Sequence, residues 1–387
     1  MNKYIISTLL LIFCFKQATS QDAKQVIVGT KHSLHSNILN EDRKFWVSLP
    51  ESYNDQASSH KKYPLLIILD SNIHFKAITG MVDYMSSAYN LKIPEMIVVG
   101  VINIDRRRDF TPDKIITVRE NNTGGGEKFL RFLEDELIKE LDENYRTASY
   151  RILFGHSLGG LITTHAYMKK NTVFNSFIVV DPSFGTWDSK TMDTKLDAIT
   201  QKSFKRFLYI ATANWGKRNI TNRDRHMRLY ESLNRKCEGY FPAKLEYFEN
   251  ENHSSISLIA FYNGISTIFD GYRIYYRNIE TVEQLKQHFQ ILSQQLSWSF
   301  KPPEALVNRV GYRMLQSSNK KDKVKALSFF LLNTESFPNS YNAFDSLAEA
   351  YEVLGDKINA INNYKKSLSL NPNNENATMK IESLNEN

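Results

Sequence analysis

The apolar positions of the chain change period several times. Continuous apolar runs at Tyr63–Asp70, Glu95–Val101, Ile152–Phe154, Phe177–Asp181 and Phe207–Ala211 are rich in β-branched and aromatic residues. Runs of this length fit strands buried on both faces of a mostly parallel sheet, and Lys244–Phe248 supplies a last strand. Stretches with helical spacing separate them. Phe75–Tyr89, Leu161–Met168, Arg223–Leu233 and Ile256–Phe269 read as helices. Glu127–Leu141 does so most clearly, with Phe129, Leu130, Leu133, Leu137 and Leu141 on one face. Strands alternating with helices predict a parallel sheet covered on both sides. Upstream, Gln25–Ser36 and Arg43–Leu49 predict antiparallel strands around a turn near Asn40-Glu41-Asp42. Asn103–Pro112 reads as a charged loop, and residues 270–300 as helical.

The two ends depart from this pattern. A basic start, Met1-Asn2-Lys3, leads into the apolar run Tyr4–Phe15 and then into the small residues Ala18-Thr19-Ser20. That is the order of an export signal, predicting cleavage near Ser20-Gln21 and a periplasmic or secreted protein. At the other end Ala326, Phe330 and Pro338 recur as Ala360, Tyr364 and Pro372, an offset of 34 in each case. This is the tetratricopeptide period, and Phe344, Leu347, Ala348 and Tyr351 fit the fuller second unit, with Ala377–Leu384 as a cap. So short an array should pack against the rest of the chain and could offer a protein partner a surface. The expected division is a signal peptide at 1–20, an α/β domain at 21–297 and a small all-α repeat domain at 298–387.

Composition narrows the function. A chain of 387 residues with 42% hydrophobic and 24% charged content is long enough for two soluble domains. Losing Lys3 and Lys16 with the signal takes the formal charge from +7 to +5. So mild an excess, with no dense basic block, argues against nucleic acid. No second long apolar run predicts a transmembrane span. Cleavage also removes Cys14, so Cys237 has no disulfide partner within the mature chain. No metal-binding spacing or phosphate loop is present, and no cofactor is expected.

The candidate chemistry lies in Gly155-His-Ser-Leu-Gly159, placed between a strand and a helix. A G-x-S-x-G match in that context is a sharp turn that exposes a serine, here Ser157, with glycines where strand and helix nearly touch. A serine hydroxyl needs a base, and the partners of such a turn follow in the order Ser, acid, His. His253, on the loop after the last strand, fits the base. His226 falls in a helix and reads as a surface residue. Asp224, the first aspartate after Phe207–Ala211, is the acid assigned, with Asp181 as runner-up. Asn214 or Glu251 orienting the base, or a Ser–His pair without a tight acid, stay open. The oxyanion donors expected are the backbone N–H groups of Leu158 and Ser71.

Around these residues the chain resembles the exported putative-esterase family of α/β hydrolases, and within it the siderophore esterases. The resemblance runs through Ser36–Arg43, Pro64–Ser71, Ile97–Asn103 with Arg106 to Pro112, Gly155–Gly160 and His253–Ile256, and covers residues 25–275. It implies an α/β-hydrolase fold, carboxylic-ester hydrolysis, and Ser157 and His253 as nucleophile and base. Some siderophore esterases act as Ser–His dyads. Their sites hold catecholate complexes with basic residues, so Arg106 and Arg108 are the substrate-binding candidates. The expectation is an exported serine esterase acting on a small-molecule ester. The alternatives are a carbohydrate (feruloyl or acetyl) esterase and a non-catalytic scaffold that binds through its repeats.

Overall fold

The computed structural model describes residues 25–115, 122–186, 194–198, 206–216, 220–236 and 243–386. The segment expected to be an export signal, Cys14 and Cys237 lie outside them. Among the described residues, eight strands form one sheet: β1 (Thr30–Ser36), β2 (Glu41–Ser48), β3 (Tyr63–Ile68), β4 (Ile97–Val101), β5 (Thr147–His156), β6 (Ser176–Val180), β7 (Phe207–Ala213) and β8 (Ala243–Phe248). Their order is β1-β2-β4-β3-β5-β6-β7-β8. The first two pairings, β1 with β2 and β2 with β4, are antiparallel, and all the others are parallel.

Alternation along each strand builds a core on each face. On one face Leu66, Ile68, Val98, Ile152, Phe154, Ile178 and Tyr209 pack with α1 (Ser71–Ser86) and with the later helix Ile256–Ile268. On the other, Leu65, Ile67, Val99, Leu153, Phe177, Val179 and Ile210 meet the helix that follows β5 and a long helix before that strand. Between β4 and β5 come the short α2 (Arg106–Phe110) and then α3. This α3 starts at Gly126–Arg131, widens to π geometry over Phe132–Leu137 and finishes at Ile138–Asn144. From the wide turn Glu136 accepts the backbone N–H groups of Asn37 and Ile38, holding the β1–β2 turn. The remaining helices are α4 (Leu158–Met168), α5 (Ile220–Lys236), α6 (Ile256–Ile268) and α7 (Val282–Leu296).

The charged loop expected at Asn103–Pro112 contains α2. Asp105 caps it by accepting from the Arg108 N–H. Arg108 pairs with Glu41 and Asp109, and the fully buried Arg43 pairs with the same two carboxylates. Buried charges are tolerated in such mutually compensated sets.

The C-terminal region is all helical, with α8 (Glu304–Leu315), α9 (Lys320–Ser336), α10 (Tyr341–Val353), α11 (Lys357–Leu370) and α12 (Glu375–Glu386). Ala326 and Ala360 are fully buried at equivalent places, as are Phe330 and Tyr364. Val307, Val310, Phe329, Phe330 and Leu347 belong to the same apolar cluster as Phe261, Phe289 and Phe300, so these helices share the core on the α1/α6 face. A smaller cluster, Ala348, Ala360, Tyr364 and Ala377, lies at the far end. No helix among the described residues is long and apolar enough to cross a membrane.

Candidate active site

The sheet order reverses at β3: β4 joins it on one side and β5 on the other. Such a switch point opens a crevice at the carboxyl ends of parallel strands. The loops that leave β3, β5 and β6 meet there, at Asp70-Ser71, Ser157 and Asp181. Three non-glycine residues on these loops adopt positive φ: 53° at Asp70, 61° at Ser157 and 39° at Asp181.

The turn at Ser157 depends on absent side-chain atoms. A Cβ on Gly155 would stand 2.1 Å from the Gly159 carbonyl oxygen. On Gly159 the fit is tight but less severe, 3.2 Å from the Asp70 carboxylate. The Val180 carbonyl accepts the Ser157 N–H at 3.0 Å and fixes the apex against the neighbouring strand. Ser157 Oγ is then 3.0 Å from His253 Nε2 and 3.1 Å from Ser183 Oγ.

His253 lies on the loop between β8 and α6, as expected. Its Nδ1–H donates to Asp181 Oδ2 at 2.5 Å, which leaves Nε2 to accept from the serine hydroxyl. The assigned acid, Asp224, is not the residue at this position. It lies exposed on α5, while Asp181 follows directly from β6. Registers Gly155 to Val179 and His156 to Val180 run β6 alongside the elbow strand, so the residue after Val180 is carried to the serine's side. Burial alone would raise the Asp181 pKa. The His253 imidazole, the Ala213 N–H, His226 and the Trp215 indole outweigh that and lower it, so the carboxylate is charged. Of the other orienting candidates, Asn214 engages the Glu249 carbonyl and the Gly216 N–H with its side chain, and its own N–H donates to the Glu251 carbonyl at 2.8 Å.

Sequence reasoning missed several groups here. Trp215 Nε1–H donates to Asp181 at 2.7 Å, and its ring lies 4.7 Å from that of His253. His226 is fully buried, contrary to the surface role expected, and bonds Thr212 and the Pro182 carbonyl. His156 Nε2–H donates to the His253 carbonyl at 2.8 Å, and burial lowers its pKa to about 4. Its other side meets the His74 ring edge-on. The histidine before the serine thus supports the backbone of the second histidine.

Ser71 and Leu158 open α1 and α4, positions whose N–H groups have no acceptor within their own helix. The Ser71 hydroxyl is buried without a partner and packed on Gly100, which leaves its N–H as the group it can offer. Arg106 and Arg108, expected to hold substrate, both meet carboxylates of the protein itself. Arg106 forks onto Asp70, and Arg108 is held by Glu41 and Asp109. A hydroxyl, an imidazole and a charged carboxylate in line can deprotonate the hydroxyl, and the N–H groups that open α1 and α4 are candidates to hold an oxyanion.

The family described as "Putative esterase" matches residues 36–232. The ferri-bacillibactin esterase BesA of Bacillus subtilis is 27% identical over 254 residues, which is 59% of this chain and 86% of that protein. Among solved structures, an IroE-like serine hydrolase from Shewanella oneidensis superposes with TM-score 0.69 at 24% identity, covering 78% of this chain and 98% of the other. An uncharacterised protein from Capnocytophaga ochracea gives 0.62 at 19% identity, covering 93% and 100%. At these identities the two structures speak for the fold. The second spans the helical C-terminal region as well.

Proposed function

The chain belongs to the putative esterase family of ester hydrolases, and on that premise we propose that it is an exported serine esterase working through an acyl-enzyme. Ser157 Oγ attacks the ester carbonyl as His253 Nε2 takes its proton. The N–H groups of Ser71 and Leu158 stabilise the oxyanion. His253 then protonates the departing alcohol, and a water activated by the same nitrogen releases the acid. Asp181 holds the imidazole in the required tautomer and stabilises its charged form. The observation that carries this reading is the unbroken hydrogen-bonded line Asp181–His253–Ser157.

For the substrate we propose a siderophore ester. Support comes from the named activity of the Bacillus relative, which matches over 254 residues. Export rests on the signal pattern at the N-terminus. We assign residues 21–297 to the hydrolase and 298–387 to tetratricopeptide-like repeats, supported by the paired burial of Ala326 with Ala360 and Phe330 with Tyr364.

The test uses purified mature protein, p-nitrophenyl acetate and a fluorophosphonate probe. Wild type should label and turn over, and Ser157→Ala should do neither. Labelling of the alanine variant sinks the mechanism, and an inert wild type points to a scaffold. Ferric catecholate trilactones run beside feruloyl and acetyl sugar esters decide the substrate class.

A further inference from the structure

The two oxyanion donors belong to different loops, Ser71 after β3 and Leu158 after β5. The main-chain link nearest the crevice is the Leu69 N–H bonded to the Phe154 carbonyl at 3.1 Å; beyond it the chains part. What joins them past that point is a side chain. Arg106 donates from Nε to Asp70 Oδ1 at 2.7 Å and from Nη2 to Oδ2 at 3.0 Å. The same Nη2 reaches the His156 carbonyl, one residue before the nucleophile, at 3.4 Å. Asn103 also donates to Asp70 Oδ1, and the guanidinium lies 5.6 Å from the Phe110 ring centre. Asp70 is buried, left-handed and immediately precedes the Ser71 donor. Its Oδ2 faces Gly159 of the elbow.

We infer that Arg106, through Asp70, is a positioning residue that sets the spacing of the oxyanion donors and is not a substrate anchor. A bidentate fork fixes a carboxylate in angle as well as distance. Oxyanion stabilisation needs the donors within about 2.7–3.1 Å of the developing charge. A displacement of about 1 Å costs roughly a hundredfold in rate. The inference rests on the acyl-enzyme reading, because only there do these two N–H groups share an oxyanion.

The test compares wild type with Arg106→Lys, Arg106→Gln, Arg106→Ala and the double variant Asp70→Asn/Arg106→Gln. The readouts are kcat and KM for p-nitrophenyl acetate, and affinity for an aryl trifluoromethyl ketone that mimics the tetrahedral oxyanion. The Gln and Ala variants should lose about 10–100-fold in kcat and, in parallel, in inhibitor affinity, with KM nearly unchanged. Lys should lose less. With a side chain 35% exposed, the gap left in the Ala variant should accept free guanidinium and regain part of kcat. The double variant removes both charges, so it reports even if the single variants leave Asp70 unpaired and fold poorly; it should show the same loss. A raised KM at unchanged kcat, or a double variant with wild-type kcat, overturns the inference. Turnover surviving in Ser157→Ala instead removes the acyl-enzyme reading, and this inference with it.

Discussion

Asp181 gathers the most consequential contacts of any single side chain here: His253, Trp215 and the Ala213 N–H converge on a fully buried carboxylate. Asp181→Asn keeps the shape but favours the wrong imidazole tautomer, and kcat should fall by roughly 10³–10⁴. Asp224→Asn, on the exposed face of α5, should change it less than about twofold. Steady-state kinetics on the pair separates the two assignments. Trp215→Phe keeps the ring over His253 and removes only the N–H to Asp181. A hydrogen bond to a charged group contributes about 1.5–3 kcal/mol, so about tenfold or more should be lost in kcat. His156 gives a signature in stability. Its folded pKa of about 4 lies below the ordinary 6.5, so the unfolded chain binds the extra proton between those values. Its contribution is therefore complete above pH 6.5 and is lost as pH falls toward 4, with a slope approaching about 1.4 kcal/mol per pH unit. Urea unfolding across that range should show the slope in wild type and a flatter one in His156→Gln. Ser157 and His253 were legible because a motif and a chain order name them. Asp181 and Asp224 both satisfy that order, and the β5–β6 register that separates them is a tertiary fact. Trp215 carried no local signal at all.

At the scale of elements, two close approaches hold the site. Gly155→Ala would drive a methyl into the Gly159 carbonyl at 2.1 Å, backbone against backbone, and should abolish soluble expression or activity outright. Gly100→Ala acts at a distance from the chemistry. Its Cβ would fall 1.7 Å from Ser71 Oγ and 2.8 Å from Ser71 Cβ, so the first turn of α1 must move away from β4. Because Ser71 donates to the oxyanion in the mechanism proposed, kcat should drop by about tenfold or more while the protein still unfolds cooperatively; kinetics with a thermal melt tests both halves. The buried strands were readable because burial on both faces leaves continuous apolar runs. The α2 segment was not, since five residues are too few for a period to appear; only the capping Asp105 hinted at it. The π turn within α3 left its apolar spacing intact and so stayed invisible.

At the scale of the whole molecule, the C-terminal helices are unequal partners of the sheet. Val307, Phe329 and Phe330 share the core on the α1/α6 face, while Tyr364 and Ala377 belong to the separate outer cluster. Truncation after residue 356 should leave an active enzyme with a modestly lower melting temperature. Truncation after residue 303 uncovers the core around Phe289 and Phe300 and should give insoluble protein; expression and melting of the two fragments checks this. The 34-residue offset announced helices in this region but not their shared core, since periodicity shows which face is apolar and not what it meets. A cleft of about 700 Å³, lined by Asp83, Glu95, Trp298, Phe300 and Phe337, sits between the end of α1, the loop before β3 and the start of the C-terminal helices, and shares no residue with the site. The three left-handed residues at the carboxyl ends of β3, β5 and β6 have a consequence for laboratory evolution. Glycine relaxes such backbone, but at Asp70 and Asp181 the loss of buried hydrogen bonds and ion pairs outweighs that relief, so a library sorted for heat tolerance alone would enrich Ser157→Gly, which deletes the nucleophile proposed. Survivors of that sort would be sturdier and inert. Any selection for robustness in this fold has to be coupled to turnover from its first round.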